Sequence, residues 1–242
     1  MRTQSAITTI THAVTVAGGV FAPGHLGELT QYLPFELVDD VLAETTTVQR
    51  RLRALPSRAG FYFVLALGMF PHLGYLRVWG KLTAGLADLE VPRPSEKALR
   101  DLRRRIGPAP LKALFEIVAG PLGQLHTPGV RFGGLRTVAF DGCNSVHIPD
   151  TGRNRRWIGK LRYRMGLAGY PALRLMTLAE TGTRALLGAA VGSAADRDES
   201  RLARRLLPLL GPGMLVLLDR AFDANNVPGR GGRHRGHAAG PG

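Results

Sequence analysis

The sequence predicts an α/β protein in two parts, a helical N-terminal domain and a mixed β-sheet after it. Three observations carry that expectation. Apolar residues recur every three or four positions up to about residue 125, short apolar runs ending at turn residues replace them after residue 134, and Gly and Pro cluster between the two regimes in GPLGQLHTPGVRFGG. With 242 residues, 45% of them hydrophobic, the chain is long enough to bury one large core or two modest ones.

The helical part opens with LGELTQYLPFELVDDVLAETT, where Leu26, Leu29, Leu33, Leu37, Val38, Val41 and Leu42 recur at helical spacing. Pro34 ends the first helix there, because it has no N–H to donate and its ring clashes with the preceding turn. Between Arg58 and Arg77 lie eighteen uncharged residues, the lower limit for a bilayer span. Pro71, His72 and three glycines interrupt them, so the expectation is a buried helix over Phe61 to Phe70 that breaks near Pro71. The run from Thr3 to Gly27 is broken by threonines and preceded only by Arg2, which disfavours a secretory signal. PSEKALRDLRRRIG has proline and acid early, arginines late and Gly107 as a stop, and PAPLKALFEIVAG repeats that pattern.

After residue 134, LRTVAFDG, LRLMTLAETGT, RALLGAAVGS and GMLVLLD read as four strands, and ADRDESRLARRLLPLLG as an amphipathic helix before the last of them. Two hairpin-like connections followed by a helical crossover match the opening of a ribonuclease-H-like sheet, and equally other mixed α/β folds. The expected division is a helical domain over residues 1–130, a partial sheet domain over 131–224 and an unstructured basic tail over 225–242. The tail, NNVPGRGGRHRGHAAGPG, has six glycines, two prolines and no acid, and cannot build a core. Its GC-rich residue types are also compatible with a reading frame lost near Asn225, since a shifted frame can be read as a helix followed by a strand.

Basic residues number 32 against 18 acidic, giving a net charge of +14 and a pI near 11.2. Polyanions, nucleic acid first, are the partners this balance points to, with phosphate or anionic membrane surfaces behind them. Residues 1–48 hold one arginine against five acids, so the positive charge lies in the rest of the chain. Arginine supplies all but four of the basic residues, a bias that suits phosphate but also follows from GC-rich coding. The single cysteine, Cys143, excludes internal disulfides and cysteine-cluster metal sites, and a reducing compartment fits.

Asp141 closes TVAF and Asp219 closes MLVLL, two carboxylates at the C-terminal ends of apolar strands. Ligand sites of α/β sheets gather at such ends, and two carboxylates there can share magnesium, which takes oxygen ligands and can stabilise both oxygens of a phosphoryl transfer. Aspartate after a strand is more often an ordinary turn or helix-cap residue. Between the first two strands, Arg153, Arg155, Arg156, Lys160, Arg162 and Arg164 face no acid and interleave with Trp157 and Tyr163. Such a stretch neutralises phosphates while its rings stack on exposed bases, or else it is a solvated charged loop. VQRRLRALPSR and RDLRRRIG are weaker candidates for DNA contact. Cys143, His147, His234 and His237 have no partners in the sequence that would make them a reactive or metal site.

FDGCNSVHIPD with the basic stretch after it, and later GMLVLLDRAFDAN, resemble the catalytic segments of transposases of the insertion-sequence-4 family. GHLGELTQYLPFELVDDVL through KALFEIVAG is similar to that family's helical N-terminal domain, so the resemblance spans residues 20 to 224. It implies a ribonuclease-H-like core that cuts and joins DNA at transposon ends with two aspartates and a glutamate holding divalent metal. By that resemblance Asp141 is the first aspartate and Asp219 the second, Mg2+ is the cofactor, Arg220 adds a DNA contact, and Ala221 stands where the family has glycine. The family's glutamate lies in a later helix, and no acidic residue follows Asp223. The resemblance therefore implies a truncated or frame-disrupted DDE transposase that does not cut, or a DNA-binding fragment without catalysis. Double-stranded DNA with terminal inverted repeats, a second copy in a synaptic complex, a cytoplasmic, nucleoid-associated location and no membrane complete the expectation.

Overall fold

The computed structural model describes residues 25–51, 53–84, 86, 91–193 and 199–218. The chain divides into two compact units, Met1–Val118 and Ala119–Gly242. Asp219, Arg220 and the basic tail lie outside the described residues, and so do the first twenty-four residues.

The first unit is helical throughout its described residues. Helix α1 (Leu26–Tyr32) is capped by His25, whose Nδ1 accepts from the Gly27 N–H at 2.9 Å while Nε2 donates to the Ala84 carbonyl. It ends before Pro34, and α2 (Phe35–Glu44) follows with Phe35, Val38, Val41 and Leu42 buried. Helix α3 (Ser57–Met69) buries Phe61, Tyr62 and Phe63, three consecutive residues that point to three sides of the helix. Burial on all sides is the signature of a helix enclosed by others. No described helix is long and apolar enough to cross a membrane. The uncharged segment continues into a separate helix, α4 (Tyr75–Leu82), which contributes Val78, Trp79 and Leu82 to the same core.

Helix α5 (Glu96–Ile106) starts where the Ser95 hydroxyl accepts from the Ala98 N–H at 3.2 Å and stops at Gly107, whose φ of 67° belongs to the left-handed region. Its apolar stripe of Leu99, Leu102 and Ile106 is buried, and Gly60 of α3 meets it closely: a Cβ there would stand 2.6 Å from Leu102 Cδ1. Helix α6 (Ala109–Val118) closes the unit with Leu114 in the core. Two polar ties cross this core. Arg58 forks Asp39, with Nε to Oδ1 at 2.7 Å, and lies 4.9 Å over the Phe35 ring. Tyr62 donates its hydroxyl to the Leu33 carbonyl at 2.5 Å, and burial pushes the phenol well above its ordinary range.

The second unit is built on a six-stranded sheet of β1 (Arg131–Phe132), β2 (Leu135–His147), β3 (Lys160–Tyr163), β4 (Gly166–Glu180), β5 (Leu186–Gly192) and β6 (Met214–Leu217). A short helix α7 (Gly152–Trp157) precedes β3, and α8 (Glu199–Leu206) with a 3-10 turn (Leu207–Leu209) precedes β6. Strands β2, β4 and β5 are antiparallel neighbours, and β6 returns parallel to β2 on its other edge, with Arg136 opposite Met214 and Ala139 opposite Leu217. This is the expected succession of three strands, a helix and a strand. Val138, Phe140, Met176 and Leu178 face Leu202, Ala203 and Leu206 of α8, which covers that side of the sheet.

Two elements depart from the sequence expectation. Strand β2 does not end at Asp141 but runs on to His147, because β4 begins early enough to pair with it up to His147 opposite Ala172, across an irregularity between Cys143 and Val146. The segment between the first two strands is α7 and β3, not one loop: Thr151 caps the helix by accepting from the Asn154 N–H at 3.2 Å, and Ile158 and Leu161 supply buried side chains. Together these extensions form a β-arm carrying the basic residues.

The end of β4 is tied down by a buried carboxylate. Glu180 is inaccessible to solvent and accepts from the Gly123 N–H at 2.7 Å, from the Thr183 hydroxyl and from Arg136. Burial raises a carboxyl pKa, but the bonds from Thr183 and Gly123 and the Arg136 charge outweigh it, and the net shift is downward. Beside it, Gly182 lies so close to the backbone of the 128–130 segment that a Cβ would come 2.5 Å from the Pro128 carbonyl oxygen.

Candidate functional site

Asp141 sits on β2 opposite Thr177 of β4, whose hydroxyl donates to the Asp141 carbonyl at 3.2 Å. Alternation along the strand sends Val138 and Phe140 toward α8 and Asp141 to the opposite, exposed face, among Ala139, Thr177 and Ala179. These neighbours are small and half-buried, so a ligand can approach the carboxylate closely. The parallel pairing of β2 with β6 stops at Ala139 and Leu217, and β6 ends there, with Asp219 two residues further along the sequence.

The expectation overlooked a second carboxylate near Asp141. Glu199, first residue of α8, reaches the strand: a Cβ on Gly142 would lie 3.2 Å from its Oε2. It approaches from the α8 side, opposite to Asp141, and so does not join it. Among the described residues no three His, Cys, Asp or Glu side chains converge where they could hold a metal ion. Asp141 is a suitable oxygen donor for a hard cation, but one carboxylate is not a ligand set for a resident divalent ion, which takes oxygens from several groups.

The arm presents most of the expected DNA-contact residues to solvent. Arg153, Arg155, Arg156 and Trp157 are exposed on α7, Arg162 on β3, and Arg164 in the turn before β4. Tyr163, Met165, Leu167 and Tyr170 are exposed beside them. The statement that this stretch faces no acid needs correction, because Asp150, just ahead of it, accepts from Lys160 Nζ at 2.8 Å and from Arg155 Nε at 2.7 Å. Those bonds, from Lys160 first and then Arg155, hold the Asp150 carboxyl below its ordinary range. Lys160 also donates to the Gly169 carbonyl at 2.8 Å, which ties β3 to β4. Lys160 and Arg155 thus serve the arm's own structure, while Arg153, Arg156, Trp157, Arg162 and Arg164 project outward.

The second unit thus combines an exposed strand carboxylate, Asp141, with a basic arm that also carries exposed aromatic side chains. Residues 23–116 match the family described as insertion element 4 transposase N-terminal. The chain is 27% identical over 201 residues to the transposase InsG of insertion sequence element IS4 from Escherichia coli K12, covering 81% of this chain and 44% of that protein. It is 26% identical over 198 residues to the candidate transposase InsZ of the same organism, covering 81% of this chain and 64% of the relative. The chain thus spans about half to two thirds of the length of these relatives. No solved structure matches it. On these comparisons the chain is similar to insertion-sequence-4 transposases, with the family model matching within its helical unit.

Proposed function

We propose that the protein is a DNA transposase of the insertion-sequence-4 type whose second unit is the catalytic core. The observation that carries this reading is the placement of Asp141 two residues past the last parallel pair of β2 with β6, with Asp219 equally two residues past it along the sequence. A register that continues unbroken brings the two carboxylates side by side, Asp141 within β2 and Asp219 just past the end of β6. The sheet order β5–β4–β2–β6, three antiparallel strands and a parallel return through a helix, supports a ribonuclease-H-like core. In this reading Asp141 and Asp219 are carboxylates for Mg2+, and the arm's Arg153, Arg156, Trp157, Arg162 and Arg164, with Arg220, hold double-stranded DNA of transposon ends.

The partner in this reading is double-stranded DNA at the nucleoid in the cytoplasm, bound by a pair of chains in a synaptic complex. The test is a titration of the purified 242-residue chain against a labelled duplex at several salt concentrations, followed by addition of Mg2+. The expected result is an affinity falling linearly in log–log form with salt, by roughly 0.9 per phosphate neutralised. Absence of binding at low salt would remove the DNA reading, and Mg2+-dependent nicking would support the catalytic reading of the second unit directly.

A further inference from the structure

The helical unit contains a cavity of about 400 Å³ in the segment joining α2 to α3, lined by Thr46, Gln49, Arg50, Arg51 and Arg53 and closed on one side by Arg105 of α5. Four guanidinium groups line it and none of its lining residues is acidic. Like charges gathered in this way repel one another, and the least screened of the four is Arg105, which is partly buried while the others are exposed. Burial first, and the Arg53 charge second, both disfavour the charged form of Arg105. A cluster of this composition is unfavourable until an anion enters it.

The segment is held in shape by bonds from the start of α3. Ser57, buried at the start of α3, donates its N–H to the Gln49 side-chain oxygen at 2.7 Å and its hydroxyl to the Thr47 carbonyl at 2.8 Å. Thr46 stands in the left-handed region at φ 53°, turning the chain out of α2. Arg105 donates one terminal nitrogen to the Leu55 carbonyl at 2.5 Å, which fixes the plane of its guanidinium. Its Nε–H is buried and has no hydrogen-bond partner among the described residues. A buried donor left unmatched costs free energy, and such donors in native proteins call for an explanation such as a ligand. Arg50, Arg51 and Arg53 are exposed, so they can close on a ligand from the solvent side.

We infer that this cavity is a phosphate-binding site, in which the Arg105 Nε–H and the arginines of the 50–53 segment take the oxygens of a phosphate group. Guanidinium forks match tetrahedral oxyanions bidentately, and a phosphate satisfies the buried donor while neutralising the cluster. The phosphate chemistry is shared by free inorganic phosphate and by a DNA backbone phosphodiester. The second source rests on the proposed function and would make the helical unit a DNA contact separate from the arm of the sheet unit.

The experiment follows the Arg105 Nε–H resonance by NMR in the full chain while inorganic phosphate, and separately a short duplex, is titrated in. A saturable shift with inorganic phosphate is expected, and its loss in the R51Q/R53Q double variant, which changes only exposed residues. The same variant is expected to weaken duplex binding at least tenfold and to make the salt slope shallower by about 0.9–1.8. A resonance unmoved by both ligands, or moved equally in the variant, overturns the site. A shift with phosphate but none with duplex overturns the DNA source alone. Failure of the whole chain to bind duplex, with the phosphate shift intact, counts against the proposed function and leaves the pocket standing.

Discussion

Removing the Glu180 carboxylate leaves Arg136 and the Gly123 and Thr183 donors without their acceptor. Glu180→Ala is therefore expected to lower the stability of the sheet unit by about 3–5 kcal/mol, measured as a shift of the urea midpoint. The pH dependence has a definite sign. The folded pKa of Glu180 lies below its unfolded value, so its contribution is complete above the ordinary glutamate range and is lost as pH falls through the lower folded value. The urea midpoint of the wild-type chain should fall on acidification below about pH 4, and Glu180→Gln should flatten that fall. Two glycines give a graded pair. Gly182→Ala drives a Cβ against backbone atoms and should cost about 3 kcal/mol, whereas Gly60→Ala meets side-chain carbons of Leu102 and Ile106 and should cost less, because about 1 kcal/mol of helix propensity offsets the crowding. An equal Tm loss in the two variants would contradict this. The carboxylate of Asp141 after an apolar run is a local pattern that sequence displays, but its place in the middle of β2 is not. Asp150, Glu199 and Arg105 were not legible, since what distinguishes them is a partner or a cavity brought near only by folding.

Elements with strong periodicity were read correctly and those with little apolar content were not. Helix α5 announces itself by Ser95, its Leu99–Leu102–Ile106 stripe and Gly107, all within one stretch of sequence. Helix α7 and strand β3 bury only Ile158 and Leu161 among six basic residues, so charge conceals their pattern. The long β2 was also unreadable past Asp141, because residues 142–147 become a strand only through pairing with β4. Asp150 holds α7 and β3 together while cancelling part of the arm's charge. If the arm contacts DNA, Asp150→Asn should tighten duplex binding severalfold and steepen its salt dependence, with little change in Tm. Anisotropy titrations at two salt concentrations check this, and weaker binding would show that the geometry set by Asp150 matters more than the charge it cancels.

Charge and pattern together carried the whole-molecule reading: a helical unit, then a sheet unit, on a chain of net charge +14. What composition could not convey is how unevenly the two units use chain length. The helices of the first unit close their hydrogen bonds locally, whereas Arg136 of β2 meets its parallel partner only at Met214, 78 residues later. At the ~5–20 residues per second of synthesis, the edge of β2 that will receive β6 waits about 4–16 s for its partner. During that interval a nascent chain exposes backbone donors and acceptors that another strand can take, and crowding on a polysome brings such strands together. The parallel return of β6 thus makes the timing of translation, and the chaperones that attend it, part of how this protein reaches its fold.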